Sequence, residues 1–239
     1  MKLQIYHTVN AGLYLWNGSS GLLIDALHGG KDIGFSNTPD RYIRMMQRKE
    51  AFFGQINDLL FTHTHEDHYN KGLVSEFLKL NPDSRLYGPG LDGSNVQPMR
   101  LEQGIGRFQI REYTIYVFTT RHDGKAFTDY PHCSYLIETR GELLWIGGDA
   151  VLDASLAKKV KKSCKEKRID KAFVMVYQIE SRQGTDFLRE LCPEHIYLYH
   201  LPYLEDDRFH YYRMVDQALG RRRQEKITVA LLKLDSFVE

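Results

Sequence analysis

Cysteine is scarce. Three residues, Cys133, Cys164 and Cys192, are odd in number and far apart, so neither a disulfide framework nor a CxxC site is expected. A reducing, cytoplasmic setting fits that usage. No apolar run approaches the roughly 20 residues needed to span a bilayer, which excludes a membrane-spanning helix. The opening MKLQIYHTVNAGLYL has no charged segment leading into an apolar core, so no signal peptide is expected. Charge of one sign is also missing. A formal net charge of +1 gives no general attraction to nucleic acid or to an anionic membrane. Internal repeats, low-complexity tracts and linkers are absent, so residues 1–239 are expected to form a single domain around one large core.

Short strands dominate the first third: LQIYHT, AGLYLWN and GLLIDAL, separated by Asn/Gly/Ser turn signals. A long loop then leads to Pro39, and Thr38 or Asp40 is placed to cap a helix through Met45 and Met46. DLLFT, at 58–62, reads as a buried strand. Asn70 is placed to cap a helix carrying Leu73, Phe77 and Leu80 at helical spacing. The middle reads as strands SRLYG, RFQIREYTIYVFTT, HCSYLIET and GELLWIGG. A basic helix near 153–167, the strand KAFVMVY, a helix near 184–191, the strand HIYLYH, a helix near 206–221 and the strand KITVALLKL follow. Two such blocks imply two sheets with helices outside.

Against that plain background FTHTHEDHYN, at 61–70, is unusual: three histidines and an aspartate lie within six residues. His63 and His65 are two apart, so on extended backbone both point to one side. Asp67 and His68 follow where a turn begins and can swing toward a second point nearby. Imidazole and carboxylate suit zinc, and less exclusively iron or manganese. Three distant residues also close apolar strands: His122 after VFTTR, Asp149 after LLWIGG and His200 after IYLY. Singly, each reads as an ordinary surface, core or turn residue. Together with the first motif they make five histidines and two aspartates, enough for two metal ions with an open position for water.

In this order and context the chain resembles the metallo-β-lactamase superfamily over nearly its whole length. LLIDAL, with Asp25, resembles the first motif and THTHEDH the second, while His122, Asp149 and His200 resemble the third to fifth. The resemblance implies an α/β (α+β) four-layer αββα sandwich. It implies that His63, His65 and His122 hold one metal, that Asp67, His68 and His200 hold the other, and that Asp149 bridges them. Asp25 would orient a ligand or its own loop from behind. Two divalent ions, zinc first with manganese or iron as alternatives, would share a hydroxide that attacks the substrate.

HDGKAFTDYPHCSYLIE resembles the phosphodiesterase and ribonuclease Z-like group, with ascorbate-phosphate lactonase-like proteins sharing a similar look. TTRHDG differs from the TPGHT-type motif of β-lactamases and thioester hydrolases. No long arm for tRNA is evident. The expected reaction is therefore hydrolysis of a small phosphodiester or phosphorylated metabolite. The alternatives are a lactonase or carboxylic ester hydrolase, and a non-catalytic metal- or nucleic-acid-binding protein. Asp67 is expected to orient the hydroxide or take its proton. His132, then Tyr203 or His210, are candidates to protonate the leaving group. His28 either lines the cleft or is a solvated loop residue. The expected partner is a small molecule, with no membrane; an oligomer stays open. KKVKKSCKEKR, at 158–168, reads as a solvated helix face rather than a nucleic-acid groove. RRRQEK, at 221–226, reads as the end of the last helix.

Overall fold

A computed structural model describes residues 2–30, 34–222 and 228–238. Its elements run in the order β1 (Gln4–His7), β2 (Leu13–Trp16), β3 (Gly21–Ile24), α1 (Asp40–Arg48), β4 (Ile56–Leu60), α2 (Lys71–Leu80) and β5 (Leu86–Tyr87). Then follow β6 (Ile105–Ile110), β7 (Tyr113–Thr119), β8 (Cys133–Thr139), β9 (Glu142–Ile146), α3 (Ala154–Ser163) and β10 (Lys171–Val174). The chain closes with α4 (Val176–Glu180), α5 (Arg182–Leu191), β11 (His195–Leu198), α6 (Tyr211–Arg222), β12 (Thr228–Leu231) and β13 (Ser236–Phe237). One sheet has the order β13-β1-β2-β3-β4-β5 and the other β12-β11-β10-β9-β8-β7-β6.

Strand periodicity builds the layers, because alternate residues of one strand face opposite sides. Leu22 and Ile24 of β3 enter the core between the sheets, whereas Leu23 packs outward against α1 and α2 through Met46 and Phe77. On the second sheet Leu144, Ile146 and Phe173 face inward. Trp145, Ala172 and Val174 face α3 and α5 through Val160 and Phe187. Both sheets are therefore apolar on both faces, and the result is the expected αββα sandwich.

Several expectations change in detail. Pro39, not Thr38 or Asp40, precedes α1, and no side chain caps it. The Thr38 hydroxyl instead donates to the Ala26 carbonyl over 3.0 Å. RFQIREYTIYVFTT is two antiparallel strands, turned at Arg111, whose φ is +49°. KAFVMVY leaves the strand after Val174, and its end begins α4. Asn70 does cap α2, its Oδ1 accepting from Leu73 N–H at 3.0 Å. Asp153 does the same for α3. The lysines of α3 lie on its outer side while Ala157, Val160 and Cys164 point inward, the solvated face expected. All three cysteines are free. Residues 223–226 of RRRQEK and the start of KITVALLKL lie outside the described residues. Among the described residues no helix is long and apolar enough to cross a membrane.

What matters for the site is polarity. β3 and β4 run parallel. β9, β10 and β11 are parallel, and β7 is antiparallel to β8, which is antiparallel to β9. Hence β7, β9 and β11 all point the same way, and the loops that follow them open on one rim.

Candidate metal centre

Each ligand candidate sits just past such a strand end. After β4, His68 N–H and Tyr69 N–H both donate to the His65 carbonyl, at 3.0 and 2.8 Å. This closes a turn that separates His63 and His65 from Asp67 and His68. The His122 and Asp149 loops are stitched together by Asp123 N–H to Asp149 O at 2.7 Å and Val151 N–H to Arg121 O at 2.8 Å. His200 follows β11 with a left-handed φ of +62°, a conformation costly for a non-glycine residue. Gly148, with φ +56°, is needed for a different reason: a Cβ there would lie 2.8 Å from His132 Nε2 and 2.9 Å from Thr62 Cβ.

The side chains gather into two clusters, each able to hold one cation: His63, His65 and His122, and Asp67, His68, Asp149 and His200. Within each cluster the potential ligand atoms all lie within 4.8 Å of one another. His63 Nε2 and His122 Nε2 are 3.3 Å apart, and His68 Nε2 and His200 Nε2 are 2.7 Å apart. Asp149 stands between the clusters. Its Oδ1 is 3.0 Å from His68 Nε2 and 3.5 Å from His200 Nε2, while its Oδ2 is 3.8 Å from His122 Nε2. Asp67 Oδ2 lies 3.5 Å from His200 Nε2 and 3.9 Å from His68 Nε2.

Hydrogen bonding behind the rings sets their tautomers. His122 Nδ1–H donates to the Asp123 carbonyl at 2.5 Å, so the Nε2 lone pair is turned inward. His68 Nδ1–H donates to Asp25 Oδ2 at 3.0 Å, with the same result. Asp25, itself at φ +48°, also accepts from Thr62 N–H at 2.8 Å and from the Thr62 hydroxyl at 2.7 Å. Its carboxylate is fully buried and positions one ring and one loop.

The residues fit metal ions on an observation of this structure. Two inward Nε2 atoms at 2.7 Å cannot both present bare lone pairs, so a proton on one ring or a cation between them must hold them together, and a cation can take the place of that proton. The buried Asp149 Oδ1 also lacks a hydrogen-bond partner of good geometry, although a histidine nitrogen is near. Electrostatics agree. Burial by itself would depress His68, but the Asp149, Asp25 and Asp67 carboxylates outweigh it and hold the imidazolium well above the usual range. Burial would raise Asp149, but His200, His68 and His63 hold it well below the usual carboxylate range. His63 and His65 are both depressed, by burial first and neighbouring histidines second. The pocket asks for positive charge.

The candidates for leaving-group acid fare differently. His132 is buried, and both its nitrogens are engaged: Nε2 accepts from Asp149 N–H at 3.1 Å, and Nδ1 faces the Thr120 hydroxyl at 2.7 Å. Burial pushes it down to about 3, the opposite direction from that of a ready proton donor. The expected acid is thus a support for the Asp149 loop. The Tyr203 hydroxyl donates to Asp235, 3.1 Å away beside Arg41. His210 is exposed in the turn before α6. His28 is neither cleft lining nor solvated loop but a buried ring, its Nε2 3.4 Å from the Val9 carbonyl.

Sequence reasoning missed the other supports of Asp149. Gln178 Nε2 donates to the carbonyls of Gly148 and Ala150 at 3.0 and 2.8 Å, and Gly148 N–H donates to the Tyr199 hydroxyl at 3.1 Å. It also missed the aromatic rings around the clusters, because aromatics in a chain this rich in them carry no local signal. Tyr130 lies 3.9 Å and Phe127 4.8 Å from the His65 ring, and Phe35 meets the His200 ring edge-on at 4.6 Å.

No family model and no curated protein matches the chain. Solved structures do. CmlA, a diiron β-hydroxylase from Streptomyces venezuelae, is similar at 12% identity with a TM-score of 0.66. The match covers 100% of this chain and 54% of that one, so the chain spans about half the length of that enzyme. Igni18, a metallo hydrolase from Ignicoccus hospitalis KIN4/I, is similar at 13% identity and TM-score 0.67, covering 99% of this chain and 97% of that one. YhfI from Bacillus subtilis, a metallo-β-lactamase fold protein, is similar at 11% identity and TM-score 0.64, covering 99% and 98%. With two mixed sheets between helix layers, and site loops on the rim where β3, β4, β7, β9 and β11 end, this chain has the metallo-β-lactamase fold.

Proposed function

We propose that this chain is a dinuclear metal-dependent hydrolase whose substrate is a small phosphodiester or phosphorylated molecule. The observation that carries the reading is the sharing of Asp149 between the two clusters, one carboxylate oxygen toward each. His63, His65 and His122 would hold one divalent cation, and Asp67, His68 and His200 the other. Zinc suits this nitrogen-rich set, with manganese or iron as alternatives. Bound there, the cations acidify water and neutralise charge building on the oxygens under attack.

The chain's own residues do the rest. Asp67, whose Oδ2 lies 3.5 Å from His200 Nε2, would take the proton of the attacking water and return it to the departing oxygen. The water oxygen forms a bond to phosphorus, the bond from phosphorus to the alcohol oxygen breaks, and the products are a phosphomonoester and an alcohol. Asp25, through His68, and His132, Gln178 and Tyr199, through the Asp149 loop, hold the ligands so that little reorganisation accompanies the reaction.

The test is a panel of bis(p-nitrophenyl) phosphate, cyclic nucleotides, lactones and carboxylic esters, run on protein loaded with zinc, manganese or iron. Turnover of diesters that chelation removes supports the reading. Lactone or ester turnover with inert diesters replaces the substrate class, and inertness toward all of them leaves a metal-binding protein on the same fold.

A further inference from the structure

Large apolar side chains left in water on a soluble protein need a reason when they cluster. Among the described residues six are exposed, and three of these, Phe127, Leu204 and Phe209, lie on the loops after β7 and β11 that carry metal-ligand candidates. Phe127 is 45% exposed, yet its ring lies 4.8 Å from His65 and 5.3 Å from His122. On the other cluster, Phe35 stands edge-on to His200 and stacks on Tyr211, their centroids 5.5 Å apart and planes 16° apart. Phe209, 59% exposed, extends that wall, its centroid 5.8 Å from Tyr211. The wall is tightly set, since a Cβ on Gly34 would come within 2.6 Å of the Phe209 ring.

One aromatic wall thus rises from each ligand cluster, leaning on the very imidazoles that would hold the cations. Asp149 has one carboxylate oxygen toward each cluster, so a phosphoryl group held by both clusters would lie between the two walls. Flat rings stack on flat rings at an offset or edge-on, whatever the substituents' detailed polarity.

We propose that the two walls, Phe127 with Tyr130 and Phe209 with Tyr211 and Phe35, are substituent subsites, and that the substrate carries a planar aromatic group, such as a nucleobase, beside the bond that is cleaved. This deepens the hydrolase reading and rests on it.

Two phosphodiesters with the same leaving group, p-nitrophenyl phenyl phosphate and p-nitrophenyl methyl phosphate, isolate the second substituent. Phenylphosphonate and methylphosphonate do the same for binding, read by calorimetry on the metal-loaded protein without turnover. The expected preference for phenyl is about five- to 150-fold in both readouts, the usual range for stacking one ring. Phe127→Ala and Phe209→Ala should each reduce the wall they truncate, so that at least one lowers the preference threefold or more. Phe127→Leu keeps apolar bulk without a flat face and should behave like Phe127→Ala. Equal binding of the two phosphonates by the unaltered protein, or an undiminished preference in all three variants, overturns the proposal. Diester turnover without aryl preference would sink the subsites and spare the hydrolase. Aryl-selective phosphonate binding without any diester turnover would do the reverse.

Discussion

The backbone N–H of Asp149 donates to Nε2 of His132 over 3.1 Å, while the carboxylate of the same residue reaches toward both histidine clusters. His132 therefore shapes the site from behind. His132→Gln, which can still offer an oxygen to that N–H, should keep more activity than His132→Ala. The alanine variant is expected to lose about 10- to 100-fold in metal affinity, the usual cost of removing such a support. Metal titration decides it, together with the pH–rate profile. A leaving-group acid would shift the alkaline limb of that profile, and a support would leave the limb in place.

Asp149 itself has no substitute. Asp149→Ala removes the one carboxylate shared by the clusters, and hydrolysis should fall by about 10³-fold or more. Bound metal, measured by elemental analysis after dialysis, should fall below two equivalents. Near-normal turnover at saturating metal would show that the two clusters do not work as one centre.

Asp25 supports the clusters through His68, and its buried carboxylate accepts from Thr62 twice and from His68 once. An amide can accept at one oxygen only, so Asp25→Asn turns an NH2 group toward a donor at a fully buried position. The expected loss is about 3 kcal/mol, or roughly 6–12 °C in Tm for a chain of this size. Thermal unfolding of the metal-free variant measures this directly, and an unchanged Tm would mean that Asp25 only tunes the metal. The metal-loaded variant should also bind its cations more weakly.

How much of this was legible beforehand follows from the range of each interaction. The THTHEDH cluster, His122, Asp149 and His200 could be found because ligand chemistry restricts residue type and because strand ends mark themselves by local apolar runs. The layers were legible for the same reason: alternation in GLLI and ELLWI encodes two buried faces. The partners of His132 were not legible because proximity to the third motif says nothing about which way a ring points. Its two partners, Thr120 and the Asp149 N–H, become visible only when β7, β8 and β9 are laid side by side. Phe209 and Phe35 are more than 170 residues apart in the chain and meet through Tyr211, a relationship with no periodic or spacing signal. The Arg111 turn inside RFQIREYTIYVFTT was hidden because a left-handed arginine lacks the glycine that usually announces it.

Acid should weaken the fold partly through His28, which lies beneath the site and is not a ligand candidate. Burial, first, and the nearby His68, second, push it down from 6.5 to about 3. Between those values the unfolded chain binds a proton at His28 that the native protein does not, so stability rises with pH in that window. His28's contribution is thus complete above pH 6.5 and lost progressively as the pH falls toward 3, at up to about 1.4 kcal/mol per pH unit. Other groups titrate there as well, which is why the comparison must be with a variant. His28→Gln fills a similar volume and cannot be protonated. Urea unfolding of both metal-free proteins at pH 7, 5.5 and 4.5 should give a shallower decline for the variant, by close to one proton's worth of slope. Parallel curves would mean that His28 titrates in the native protein as it does in the unfolded chain, or opens to water before the core does.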